Sequence, residues 1–210
     1  MSGSEAPSDG AGPLTAPASA APAGPLLPEH EPVISATRLW LERAVIGLNL
    51  CPFARAEYVR NRIAFRVSAA TTTTALASDL EAALRELVSH DPARIETTLL
   101  IHPGVLGDFL KYNEFLGEAD ALLVRMGLEG VVQIASFHPG YLFAGEDPAD
   151  MSHFTNRSPY PTLHLLREES VERAIRSGEP AEAIVARNLK TLRALGPEGW
   201  RRLVMSRPAA

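Results

Sequence analysis

A chain of 210 residues, 46% hydrophobic and 21% charged, has the balance of a water-soluble folded protein. Its formal net charge of -5 removes the general attraction that nucleic acid or an anionic membrane surface would supply, although local basic pockets stay open. The one cysteine, Cys51, leaves no internal disulfide to form and fits a reducing cytoplasm, and no run of about 18 apolar residues offers a transmembrane span.

Residues 1–34 are rich in Pro, Ala, Gly and Ser without hydrophobic periodicity, so a disordered tail is expected there, ahead of one globular domain over 35–206. The tail has neither the basic start and apolar core of a secretory signal nor the arginines of a mitochondrial presequence. Ser35 is a candidate N-cap for a helix over 36–49 with Trp40, Leu41, Ala44, Val45 and Leu48 on one stripe, interrupted by Pro52. Strand alternation follows over 62–68, with Ile63, Phe65 and Val67 on one face. Leu76, Leu80, Leu84 and Leu87 give a helix over 74–89, stopped by Asp91-Pro92, and 96–101 is a second strand. Asp108 caps a helix to Met126 with Gly127 past its end, and 131–137, nearly all apolar, is a third strand covered on both faces. From 138 to 161 the chain carries four prolines and no period, the mark of a functional loop. Helices are then expected over 162–177 and 180–195, with a short turn near Trp200. The order predicts a small layered α/β domain with a mostly parallel sheet of three to four strands flanked by helices. The alternative is an α+β fold with a mixed or antiparallel sheet, for which Tyr141-Leu142-Phe143 offers a returning strand.

Two strands run into the same tripeptide, His102-Pro103-Gly104 and His138-Pro139-Gly140. Pro-Gly is ordinary turn chemistry. Two imidazoles at equivalent ends of neighbouring parallel strands would nevertheless share one crevice, at the edge where open α/β sheets bind ligands. Cys51-Pro52-Phe53 places the lone thiol at the start of a short helix, with Arg55 one turn on. Helix polarity and the cation would both lower its pKa, whereas a core position would leave it inert. Arg157 suits a bidentate grip on a carboxylate or phosphate, with Asn156 and Ser158 beside it and His164 and Arg167 on one face of the following helix. Asn113, one turn into the helix after the first His-Pro-Gly, can donate to the same ligand. His102, His138 and Cys51 are therefore the catalytic candidates, and Arg157, Asn156, Ser158, Asn113, His164 and Arg167 the substrate-binding ones. Zinc held by Cys51, His102 and His138, with His153 or His164, is a further possibility, unsupported by any paired-ligand motif. These features point to an enzyme acting on a small polar or anionic substrate, or to a module that binds a metabolite or a partner protein. No cofactor or oligomeric state is indicated.

The strings Thr37-Arg38-Leu39-Trp40-Leu41-Glu42-Arg43, Gly47-Leu48-Asn49-Leu50-Cys51-Pro52-Phe53-Ala54, Thr97-Thr98-Leu99-Leu100-Ile101-His102-Pro103, Ala135-Ser136-Phe137-His138-Pro139 and Asn156-Arg157-Ser158-Pro159-Tyr160-Pro161, followed by His164-Leu165-Leu166-Arg167-Glu168, occur in this order. Over residues 35–203 the chain thereby resembles the bacterial and plant family called domain of unknown function 1415. As its name implies, the family brings no activity, substrate or catalytic residue to these positions.

Overall fold

The computed structural model describes residues 30–205, so most of the expected tail and residue 206 lie outside the described residues. Helix α1, Glu31–Trp40, starts four residues before the proposed Ser35 cap: Glu31 and Pro32 occupy its first turn, where a missing N–H costs nothing. It runs on as a wide π turn, Leu41–Ile46, and ends at Asn49, whose φ of 53° is left-handed. The short α2, Ala54–Val59, leads into β1, Ile63–Val67. Helix α3, Thr73–Ser89, is capped by the Thr72 side chain, which accepts from the Ala75 N–H. After β2, Thr97–Ile101, comes α4, Phe109–Arg125, where the Asp108 carboxylate accepts from the Lys111 N–H at 3.0 Å. Gly127, at φ 67°, closes α4 as expected. Next come β3, Val132–Phe137, a 3-10 turn at Met151–Thr155, and β4, Thr162–Arg167. Helices α5, Glu168–Ser177, and α6, Ala181–Met205, complete the chain, α6 kinking at Gly196 and Pro197.

The four strands form one mixed sheet in the order β1-β2-β4-β3. β1 and β2 are parallel, and β4 runs antiparallel to both β2 and β3. This overturns the mostly parallel expectation and fits the mixed-sheet alternative. The returning strand is 162–167, expected to be helical, and not Tyr141–Phe143, which form no strand. β3 is consequently an edge strand, half-buried along most of its length, while β2 is buried throughout.

Side-chain alternation divides the interior. Leu100, Val132, Leu163 and Leu165 face α3 and α4, where Leu76, Leu80, Leu84 and Leu87 form the expected stripe. Phe65, Leu99 and Ile101 face the other way, onto Trp40, Leu41, Ala44 and Val45 and onto Leu192 and Trp200 of α6. Full burial of each such side chain is worth about 1.5–3 kcal/mol. Among the described residues no helix is long and apolar enough to cross a membrane.

Candidate functional site

Both His-Pro-Gly elements are turns: the His102 carbonyl accepts the Val105 N–H, and the His138 carbonyl accepts the Tyr141 N–H. Only the first needs its glycine for space, since a Cβ on Gly104 would lie 3.0 Å from the Ala70 carbonyl oxygen, against 3.5 Å for the nearest atom to one on Gly140. β2 and β3 point the same way but are not neighbours, because β4 lies between them. The histidines are bridged instead by Tyr112, whose ring centroid is 5.8 Å from His102 and 5.1 Å from His138. The Tyr112 hydroxyl donates to the Thr162 carbonyl at 2.9 Å and accepts the Phe137 N–H at 3.1 Å. It thus closes the gap where the β3–β4 ladder ends.

The two imidazoles differ in what they leave free. His138 Nδ1 accepts the Gly140 N–H at 2.9 Å, so its proton sits on Nε2, which donates to the Leu106 carbonyl at 3.1 Å. Both nitrogens are engaged with the ring neutral, and burial pulls its pKa down. His102 Nδ1 donates to the Val105 carbonyl at 3.1 Å, and its Nε2 lone pair is buried without a hydrogen-bond partner. Burial foremost, with the nearby His138 adding to it, pushes the His102 pKa down to about 4. His153 repeats the His138 pattern, accepting from the Phe143 N–H and donating to the Asp147 carbonyl, and so pins the long loop.

The remaining candidates are dispersed. Asn156 donates to the Ser136 carbonyl, and the Ser158 hydroxyl donates to the Tyr160 carbonyl. The Arg157 guanidinium lies 4.1 Å over the Phe154 ring. Asn113 is exposed on α4. Arg167 sits at the opposite end of β4, where it lines the cleft that also holds His164 and Cys51 while its Nη2 approaches the Leu87, His90 and Ile95 carbonyls at 2.6, 2.8 and 3.1 Å and caps the end of α3.

His164 and Cys51 lie on the other face of the sheet from Tyr112, in a cleft of about 520 Å³. β3 and β4 floor it through Ala135, Phe137, His164 and Leu166; Trp40, Leu41 and Phe53 form one wall, and Val171 and Ala174 of α5 another. Its charged lining comprises Glu57, Arg60, Arg62, Glu96, Arg167 and Arg173, with Arg62 pairing with Glu57 at 2.5 Å. The Thr97 hydroxyl donates to the Leu165 carbonyl at 2.6 Å, so at 2.7 Å from His164 Nε2 it can only accept. The proton of His164 is therefore on Nε2, and Nδ1 carries a lone pair with no hydrogen-bond partner. His164 as a residue is half-buried at the cleft floor, and burial pushes the ring's pKa down to about 4.

Cys51 reverses the expected shift. Burial raises its pKa and outweighs the lowering contributed by the Phe53 and Ala54 amides, so the thiol stays protonated at neutral pH. Thr97 gives no signal in the sequence, since an isolated polar residue at a strand start carries no motif. Among the described residues no three His, Cys, Asp or Glu side chains gather as a metal site, so the proposed zinc ligands do not meet.

No curated protein and no solved structure matches the chain. A family model described as protein of unknown function (DUF1415) matches residues 32–202. That span exceeds half of the 210 residues, and the chain belongs to the DUF1415 family.

Proposed function

We propose that this protein binds a small, largely apolar molecule carrying one hydrogen-bond donor, in the cleft between the sheet and the α1–α2–α5 layer, in the cytoplasm where its lone thiol stays reduced. The observation that carries the reading is His164: Nε2–H is committed to Thr97, and Nδ1 is a neutral acceptor set among apolar walls. Volume and lining have the character of a small-molecule pocket, in which a few fixed polar groups orient an apolar ligand. An uncharged imidazole at the floor favours a hydroxyl or N–H over the anion suggested by Arg157. α5, none of whose described side chains is fully buried, is the element that can yield to admit it. Calorimetric titration with 1-naphthol tests this. Saturable binding that is lost in Ala135→Trp, which fills the cleft, and weakened in His164→Phe supports it; binding unaffected by both substitutions overturns it.

A second reading, an enzyme acting on a small polar or anionic substrate at the carboxyl ends of the strands, is favoured by the unpartnered Nε2 of His102. A neutral, buried imidazole with a free lone pair is a general base awaiting a proton. A stably folded His102→Asn variant that fails to repair a gene deletion would support this reading, and full repair would remove it.

A further inference from the structure

The mixed sheet has two edges, β1 and β3, and the chain treats them differently. In β3 the odd residues exchange hydrogen bonds with β4, in line with the Glu168 N–H on the Val131 carbonyl, so Val132, Ile134 and Ser136 turn their backbone groups outward. Both ends of that edge are closed from within. The Val132 N–H donates to the Leu128 carbonyl at 3.0 Å, the Ser136 carbonyl accepts from Asn156 Nδ2 at 3.0 Å, and the His138 N–H donates to the Asn156 carbonyl at 3.1 Å. A strand added there would have to displace Leu128 or Asn156.

In β1 the even residues face β2: the Arg62 carbonyl accepts from the Glu96 and Thr97 N–H groups, and the Ser68 N–H donates to the Ile101 carbonyl at 2.8 Å. Ile63, Phe65 and Val67 therefore turn their N–H and carbonyl groups away from the sheet. Among the described residues these N–H groups have no acceptor, and of the three carbonyls that of Phe65 alone has a donor, Arg66 Nη1 at 3.1 Å. Its second lone pair stays available. Arg66, the charge that could blunt this edge, is folded onto Glu86, with Nε 2.8 Å from the carboxylate.

We propose that two copies of this chain pair antiparallel through β1, about a two-fold axis at Phe65, and so form one continuous sheet. Phe65 exchanges backbone hydrogen bonds with the partner's Phe65, and Ile63 with the partner's Val67. The side chains select a second copy over an unrelated strand. On the cleft side Ile63 stands beside the partner's Val67 on each flank of the axis, a β-branched pair, with Phe65, 8% exposed, at the centre. On the α3 side each Arg66 stands opposite the partner's Ala64, a small residue, so the two guanidinium groups do not meet. Ile63 also lines the cleft, which brings the partner's Val67 to its rim. The pairing does not depend on what the cleft binds.

Sedimentation equilibrium of the full chain from micromolar to millimolar concentration tests the pairing, together with amide exchange followed by NMR at both ends of that range. Twice the chain mass is expected, with exchange at Ile63, Phe65 and Val67 slowed tenfold or more in the associated form. Val67→Pro removes an outward N–H that the described residues do not use, so the ladder to β2 is kept and the variant should stay monomeric. The exchange rates of the unaltered chain decide the matter if that variant fails to fold. A single chain mass throughout, a dimer in which those three amides exchange as fast as in the monomer, or an undiminished dimer of folded Val67→Pro overturns the proposal.

Discussion

His164 Nε2 and Thr97 Oγ1 meet at 2.7 Å across the β2–β4 pair, and the hydroxyl passes its own proton on to the Leu165 carbonyl. The chain of donors runs one way only. Its consequence is a histidine held neutral, with the Nδ1 lone pair outside this chain of donors.

This neutrality has a pH signature. His102 and His164 each have a folded pKa of about 4, below the unfolded value of 6.5. Between these values the unfolded chain binds more protons, so their contribution to stability is complete above pH 6.5 and is lost as pH falls toward 4. A tenfold change in proton affinity is worth about 1.4 kcal/mol. Urea unfolding at pH 7 and pH 4.5 should show a loss of a few kcal/mol, to which His138 adds in the same direction, with the His164 part removed in His164→Gln. An unchanged pH slope in that variant would contradict the assignment.

Tyr112→Phe should cost about 2–3 kcal/mol, since it leaves the half-buried Phe137 N–H and the buried Thr162 carbonyl without their partner. Denaturant unfolding measures this directly. A cost below about 0.5 kcal/mol would mean that water replaces the hydroxyl.

Arg167→Met should release the carbonyls of Leu87, His90 and Ile95. The expected result is a loss of about 2–3 kcal/mol, with faster amide exchange concentrated in the last turn of α3. Exchange unchanged there would show that the guanidinium is dispensable as a cap.

Cys51 should react slowly with iodoacetamide at pH 7.5, with a rate that keeps rising above pH 9, because burial raises its pKa. A rate plateau below pH 8 would restore the activated thiol expected from the sequence.

Much of the frame is legible in the sequence because α3 and α4 announce themselves, the first by a leucine stripe and an Asp-Pro stop, the second by the Asp108 N-cap and the closing Gly127. β4 does not. Leu163, Leu165 and Leu166 fit a strand buried on one face and a helix equally well, and no breaker separates Arg167 from Glu168, so strand and helix merge into one segment. That single ambiguity makes β2 and β3 neighbours and the sheet parallel. It also puts His164 and Arg167 on one helix face, whereas both line the cleft from a strand and the Arg167 guanidinium turns to the end of α3. The His-Pro-Gly pair does mark one edge of the sheet, but spacing alone cannot show that a tyrosine fills the space between two imidazoles. For Cys51 the helix-start signal is sound in sign, and burial, which a sequence does not display, is the larger effect.

The most direct test of the cleft is nitrogen-15 NMR of the histidine side chains, with the His164 signals identified by their absence in His164→Phe. The expected result is a neutral ring from pH 7 down to pH 5, protonated on Nε2, whose Nδ1 resonance moves on addition of 1-naphthol. A His164 that titrates near 6.5 with no response to 1-naphthol would contradict a neutral acceptor at the cleft floor.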